Sequence, residues 1–267
     1  MENQALIQQL QRRIERIETG SRADDGNTFS SGSPIIDRML PAGGYRRGTL
    51  IQWIAAPTPA RRNSDSSGGC AVDFLSLLTA ANACADGGAL VVADRSGQFY
   101  PPAATALGLD AGNMVVIQPP DSSSQHDARY DEEFFWAVDQ SLRCSAVAAV
   151  WVVAPHIGER WFRRFQLAAE SSGTMGLFVS PPSALGKPGW SEVQWGVQSM
   201  PGVRNEKASG PAAQRIRLQL LRCRGGQSGG AVDLQIDSAS GKVSMTGLMS
   251  DLNRSRDRQN QSLMRTG

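Results

Sequence analysis

A serine- and glycine-rich loop within RNSDSSGGCAVDFLSLL, residues 62–78, offers the most specific chemistry in the sequence. It lies between a β-rich segment and an apolar run with helical spacing, where nucleotide-binding α/β domains place a phosphate-cradling loop. Its central residues are Ser66, Ser67, Gly68, Gly69 and Cys70. Gly69 takes the position of the phosphate-binding lysine, and Cys70 that of the Mg²⁺-binding hydroxyl. Backbone N–H groups alone attract anions at a helix start, but we favour a plain helix-capping turn.

A second group of candidates is basic. The chain has 267 residues with 24 Arg, three Lys and 25 acidic residues, which leaves a net charge of +2. So small a charge gives no general attraction to nucleic acid. The excess of arginine permits bidentate phosphate contacts and stacking on bases, although a GC-rich genome explains it more simply.

Three of these arginines, Arg160, Arg163 and Arg164, recur at helical spacing in GERWFRRFQLAAESSG. Spacings of three and four predict that they share one face of a helix, with Trp161 and Phe165 on another. A solvated face of an amphipathic helix is the simpler interpretation. The functional alternative is a set of phosphate contacts along single-stranded DNA.

The segment PPSALGKPGWSE offers Lys187 as a phosphate contact and Trp190 as a plane on which a base can stack. An ordinary connecting loop with Trp190 packed on the sheet is an equal alternative. A later strand carries four more candidate contacts for DNA or a partner. Along the pleat of the strand, the even-numbered pair is predicted to point to one side and the odd-numbered pair to the other; these are Arg222 and Arg224, and Arg215 and Arg217.

The N-terminus predicts an amphipathic helix over residues 1–20. Its single apolar stripe consists of Leu6, Leu10, Ile14 and Ile17. Such a stripe requires a cover, either the chain's own core or another chain. We favour another chain, which predicts a partner-binding helix and self-association.

The alternation of strand and helix patterns predicts an α/β fold with a doubly wound, mainly parallel sheet. We predict a linker over residues 21–33, a core domain over 34–249 and a disordered tail over 250–267. After Pro181 the pattern changes to SEVQWGVQ, QRIRLQLLRCR, AVDLQID and KVSMTGL, which we interpret as an antiparallel extension of the sheet.

Cysteine and histidine spacing predicts no metal site. The four cysteines are far apart, form no CxxC pair, and accompany two histidines. The N-terminus lacks the apolar core of a signal peptide, and no segment has the apolar length of a membrane span. We therefore expect a cytoplasmic protein with reduced thiols and no membrane contact.

The order of these elements resembles the RecA superfamily. SSGSPIIDRMLPAGGYRRGTLIQWIAAP resembles the opening of the RecA core, SDSSGGCAV falls on its P-loop, and SAVAAVWVVAPH falls on its Walker-B strand. RRFQLAAESSGTMGLFVSPP resembles the helix and strand before the second DNA-binding loop. RRFQLAAESSG and LLRCRGG are most similar to the ImuA (SulA-like) accessory proteins of inducible mutagenesis.

The resemblance also identifies what is missing. Besides the P-loop, the catalytic carboxylate position falls on Arg95, the Walker-B aspartate on Ala154 and the γ-phosphate sensor on Pro181. ATP hydrolysis in this fold requires these groups, so no catalytic residue, nucleotide cofactor or metal is expected. The neighbouring Asp94 is interpreted as a solvated strand-end residue rather than a remnant carboxylate.

The resemblance thus implies a non-catalytic accessory protein of the DNA damage response. It would support translesion synthesis by binding single-stranded or damaged DNA and a translesion polymerase-like protein or RecA. One alternative is a RecA-type ATP-binding repair protein with a rebuilt nucleotide site. Another is a SulA-like inhibitor of cell division.

Overall fold

A computed structural model describes residues 27–56, 70–97, 99–118, 128–153, 156–187, 189–200, 214–236 and 243–245. The predicted helix over residues 1–20, with Leu6, Leu10, Ile14 and Ile17, lies outside these residues. So do most of the predicted nucleotide loop, Ser66–Gly69, and the tail over 250–267.

Eleven strands and five α-helices form the described residues. The strands are β1 (Thr28–Phe29), β2 (Tyr45–Arg46), β3 (Leu50–Ala55), β4 (Ala89–Asp94), β5 (Met114–Ile117), β6 (Val147–Val153), β7 (Met175–Ser180), β8 (Val193–Met200), β9 (Gln214–Cys223), β10 (Ala231–Ile236) and β11 (Val243–Met245). The helices are α1 (Pro34–Asp37), α2 (Cys70–Ala83), α3 (Pro101–Ala106), α4 (Ala128–Leu142) and α5 (Glu159–Ser172). None of these helices has the length and apolarity that crossing a bilayer requires.

Nine strands make one sheet in the order β11-β10-β9-β8-β3-β7-β6-β4-β5. The pairs from β8 through β3, β7, β6 and β4 to β5 are parallel. The central strands β6 and β7 are buried along their whole length, as expected when helices cover both faces of a parallel sheet. The predicted α/β fold with a mainly parallel sheet is therefore confirmed.

Helices pack on both faces of this sheet and enclose two apolar cores. On one face, α2 and its neighbours cover a core that includes Val72, Leu75 and Trp53. On the other face, α4 and α5 cover a core that includes Phe135 and Phe165. We call the second side the α4/α5 face. It carries the residues discussed below.

The C-terminal strands differ from the prediction in one respect. Strand β8 pairs in parallel with β3, so the antiparallel extension begins with β9 and not with β8. The next strands, β10 and β11, are antiparallel as predicted. The sequence pattern could not separate these cases, because a half-buried strand alternates in the same way in either orientation.

The end of the predicted linker is packed on the core. Strand β1 pairs with β2, and Ser31 and Ser33 are buried. The Asp37 carboxylate accepts hydrogen bonds from the Ser30 hydroxyl at 2.6 Å and from the Ser31 backbone N–H at 2.8 Å. These contacts join residues 27–33 to the domain, while the earlier part of the linker lies outside the described residues.

Candidate nucleic-acid interface

Several predicted contacts converge where α5 begins and where the loop after β7 returns to β8. This loop, residues 181–192, contains Lys187 and Trp190. Together with the first turns of α5 it borders a pocket of about 250 Å³. We call Arg163, Lys187, Trp190 and this pocket the Trp190 interface. The grouping arises because the carboxyl ends of β6 and β7 lie side by side in a parallel sheet.

The most direct contact in this interface is a cation–π interaction. The guanidinium carbon of Arg163 lies 4.6 Å from the centre of the Trp190 ring. Arg163 also donates a hydrogen bond of 2.6 Å from Nη1 to the Gln166 side chain. Trp190 remains 37% exposed, so it is neither fully packed on the sheet nor free in solvent. These contacts hold an aromatic plane and a cation together at the surface.

The loop is held down on the sheet at Gly189. Arg222 Nη1 donates a hydrogen bond to the Gly189 carbonyl oxygen. A Cβ atom at Gly189 would lie 2.9 Å from Gln194 Nε2, so a side chain there would displace the Gln194 amide. At the end of the loop, Arg46 forms an ion pair with Glu192. Trp190 therefore lies between two anchored positions, Gly189 and Glu192.

Under the loop lies a row of buried polar side chains that sequence reasoning missed. Gln194 Nε2 donates to Gln52 Oε1 at 2.9 Å, and Gln52 Nε2 donates to Ser180 Oγ at 2.9 Å. The sequence did carry a signal, because the dipeptide Gln-Trp occurs in both β3 and β8. The two dipeptides pair in register, with the glutamines bonded on one face and Trp53 and Trp195 stacked on the other, 5.9 Å apart.

The three arginines of α5 do not share one direction, contrary to the prediction. Arg164 Nη2 donates to Asp139 Oδ2 at 2.9 Å, and its guanidinium covers Trp161 at 4.7 Å. Asp139 is fully buried and also forms an ion pair with Arg143. Consecutive residues on a helix are about 100° apart, so Arg163 turns toward Trp190 while Arg164 turns toward α4. Arg160 is exposed on the first turn of α5.

The prediction for the arginines of β9 was also wrong. The ladder with β8 shifts register between Gln194 and Trp195, which pair with Arg222 and Leu220. Because of this bulge, Leu220 and Cys223 both belong to the core beside α2. Arg222 therefore lies on the α4/α5 face with Arg215 and Arg217, and not opposite them. The backbone N–H of Arg224 donates to the Glu192 carbonyl at 2.9 Å, next to the loop end.

Known proteins resemble this chain in sequence and in fold. Protein ImuA of Caulobacter vibrioides strain NA1000 / CB15N is 26% identical over 223 residues, which cover 80% of this chain and 85% of the relative. ImuA of strain ATCC 19089 / CIP 103742 / CB 15 matches to the same extent. The crystal structure of the RadB recombinase superposes with a TM-score of 0.56 at 16% identity, over 82% of this chain and 99% of that one. The chain is an ImuA-like protein with a RecA-like fold. No protein-family model matches it.

In this ImuA-like chain, the end of β4 is occupied by internal contacts. Asp94 is 1% exposed and accepts hydrogen bonds from the Ser96 N–H at 2.9 Å, the Ser96 hydroxyl at 2.7 Å and the Phe99 N–H. Our interpretation of Asp94 as a solvated residue was therefore wrong. Its neighbour Arg95 is also buried and forms an ion pair with Asp131 at 2.9 Å. We call Asp94, Arg95 and their partners the β4 corner.

Two cysteines of the ImuA-like chain, Cys84 and Cys223, have side chains that are at least partly buried, whereas Cys144 is exposed. Burial raises the pKa of Cys84 and of Cys223 to about 11 in each case, because a low-dielectric environment disfavours the thiolate. Cys70 begins α2, at the helix start predicted from the loop. Within the described ranges, no three His, Cys, Asp or Glu side chains lie close enough together to hold a metal ion.

Proposed function

We propose that the ImuA-like chain is a non-catalytic accessory protein of the DNA damage response that binds single-stranded or damaged DNA at the Trp190 interface. Its similarity to ImuA and its RecA-like fold support the accessory role. The observation that carries the DNA-binding proposal is that Lys187 and Trp190 line one surface pocket while the guanidinium of Arg163 lies over the Trp190 ring. Cations beside an aromatic plane suit a ligand that alternates phosphates with flat bases.

The remaining candidates take different parts in this proposal. Arg160 extends the cationic track along the exposed side of α5. Arg222 positions the loop through the Gly189 carbonyl, and Arg224 lies at the loop end. Arg164 contributes to stability rather than to DNA binding, because its guanidinium is engaged with Asp139 and Trp161.

Fluorescence anisotropy of labelled single-stranded DNA across a range of salt concentrations tests this proposal. Binding weakens as salt rises, and loss of one phosphate contact makes the negative slope of log K against log salt less steep by about 0.7 for a single strand. We expect that change for Lys187→Gln. A matched control is Arg38→Gln, which removes an exposed cation at the end of α1 and leaves the slope unchanged. If both variants keep the slope of the parent protein, Lys187 does not contact phosphate. If the parent protein does not bind single-stranded DNA, the proposal is refuted.

We further propose that the chain does not hydrolyse ATP. Support comes from the β4 corner, where Arg95 takes the position implied for the catalytic carboxylate and is bound to Asp131. The adjacent Asp94 carboxylate already accepts three hydrogen bonds from backbone and hydroxyl donors within the fold. A ligand stabilises the state that binds it, so Mg-ATP should leave the melting temperature unchanged and release no phosphate. A clear thermal shift would favour the ATP-binding alternative.

The partner we propose is a translesion polymerase-like protein, with the apolar stripe that the sequence predicts for an N-terminal helix as the docking surface. The residues concerned are Leu6, Leu10, Ile14 and Ile17. Co-purification with a polymerase-like protein should be lost in Leu10→Asp, since a charge in the stripe opposes burial. The matched control Gln9→Asp changes a polar position beside it. Retention of a division protein in place of the polymerase would favour the SulA-like alternative.

A further inference from the structure

The pocket of the Trp190 interface combines a neutral floor with a charged rim. Gln52 is 6% exposed and, with Ser180, forms its floor. Lys187, His156 and Glu159 line the pocket from exposed positions. A ligand that fits this distribution carries an uncharged part inward and keeps its charge outside, because an unpaired charge is costly to bury.

The size and the lining of the pocket restrict the class of ligand that it can bind. Its volume of about 250 Å³ lies just below the range of sites for drug-sized molecules, which suits one ring system. The apolar part of the lining includes Phe162, Ile157 and Trp190. Trp190 is already oriented by Arg163, so a flat ligand meets an aromatic plane of restricted mobility.

The floor also has hydrogen-bonding capacity for such a ring. The Ser180 hydroxyl accepts from Gln52 and keeps its own proton for donation. An amide has two N–H groups and two lone pairs on its oxygen, so Gln52 has capacity beyond its bonds to Ser180 and Gln194. The edge of a nucleobase carries the complementary donors and acceptors.

We infer that this pocket accepts one unstacked base of a DNA single strand. The base stacks against Trp190 and directs its edge toward Gln52 and Ser180, while the adjacent phosphate stays at the rim with Lys187 and Arg163. The inference rests on the proposed DNA binding and adds to it a requirement for a base. Strands with unpaired bases, as in gapped or damaged DNA, are then the preferred ligands.

The test compares a thymidine oligonucleotide with a fully abasic strand of the same length at the same salt concentration. Both strands carry the same phosphates, so the counterion contribution to binding is the same. The full-length protein should bind the base-bearing strand about tenfold more tightly, which is the effect of one aromatic–base stack. Equal affinity for the two strands would overturn the base pocket but leave the proposed DNA binding intact. Failure to bind either strand would overturn both.

A variant that fills the pocket tests whether the preference for the base-bearing strand arises there. Ala184 lines the pocket, so Ala184→Leu should abolish the difference between the two strands. Ala103→Leu, the same change at an exposed position of α3, should keep the tenfold difference. A difference that persists in Ala184→Leu would overturn the inference. So would a free deoxynucleoside monophosphate that binds as tightly as the strand, because the pocket would then belong to a free nucleotide.

Discussion

The β4 corner and the Trp190 interface both lie at carboxyl ends of parallel strands, yet they use charge in opposite ways. At the corner, Asp94 and Arg95 are buried and engaged within the fold. At the interface, Arg163 and Lys187 are exposed beside a partly exposed indole. Polar residues at the carboxyl ends of parallel strands therefore indicate a binding site only when they are not already engaged in hydrogen bonds within the domain.

Substitution of Asp139 is expected to have the largest effect on stability. Its buried carboxylate binds Arg143 at the end of α4 and Arg164 on α5. Removing its carboxylate in Asp139→Ala leaves Arg143 and Arg164 without their shared partner. We expect a loss of about 2.5 kcal/mol in the free energy of unfolding, measured by urea denaturation, because the buried acceptor is lost while both arginines stay partly exposed. Glu132→Ala, at an exposed position of the same helix, should change it by less than about 0.5 kcal/mol. Equal effects would show that the buried pairing contributes nothing.

Asp94→Ala addresses the β4 corner directly. Loss of three hydrogen bonds to a buried carboxylate should lower the free energy of unfolding by about 2 kcal/mol, again seen in urea denaturation. The affinity for single-stranded DNA should not change in anisotropy measurements. A variant that unfolds like the parent but loses DNA or nucleotide binding would show that this corner has a ligand role.

Arg163 and Arg164 form a matched pair of neighbours with different partners. Arg163→Gln should weaken binding to single-stranded DNA about fivefold at moderate salt, because a cation beside Trp190 is lost. Arg164→Gln should instead lower the free energy of unfolding by about 1 kcal/mol, with DNA affinity retained. Anisotropy and urea denaturation on both variants measure this contrast, and a reversed pattern would exchange the two assignments.

Substitution of Tyr45, which lies on the other face of the sheet, is expected to change stability slightly and to leave DNA binding unchanged. Trp195 Nε1 donates to its hydroxyl at 2.7 Å, so Tyr45→Phe should cost about 1 kcal/mol. Burial raises the pKa of Tyr45 above its ordinary value. Its contribution to stability is therefore complete below about pH 10 and is lost as pH rises further. Thermal melts at alkaline pH should fall more steeply for the parent than for Tyr45→Phe, while DNA binding at neutral pH stays equal in the two.

Periodicity and composition predicted most of the fold because they report which faces are buried. The helix predicted within GERWFRRFQLAAESSG is present as Glu159–Ser172, and the apolar run after the serine-glycine loop forms α2. The orientation of β8 was missed, since pairing partners are set by the whole sheet rather than by local pattern. The solvated interpretation of Asp94 failed for a similar reason, because its donors lie in a loop whose path the sequence does not specify.

The candidate site was predicted in part. Lys187 and Trp190 were named from residue type, and Arg163 from helical spacing, but spacing could not separate Arg163 from Arg164. That distinction depends on Asp139, which lies on another helix. The buried row of Gln52, Gln194 and Ser180 was missed because buried glutamine has no periodic signature. The repeated Gln-Trp dipeptide was the available signal.

That repeated dipeptide also limits how the loop before β8 can vary in length. Displacing β8 by a single position against β3 would turn the Gln194 amide into the apolar core beside Trp53 and the Trp195 indole beneath the loop. Insertions between Pro182 and Gly186 leave the pairing of β8 with β3 intact, whereas a deletion next to Ser191 would shift the register of β8. New loop tips can therefore be grafted here to alter ligand preference without rebuilding the domain.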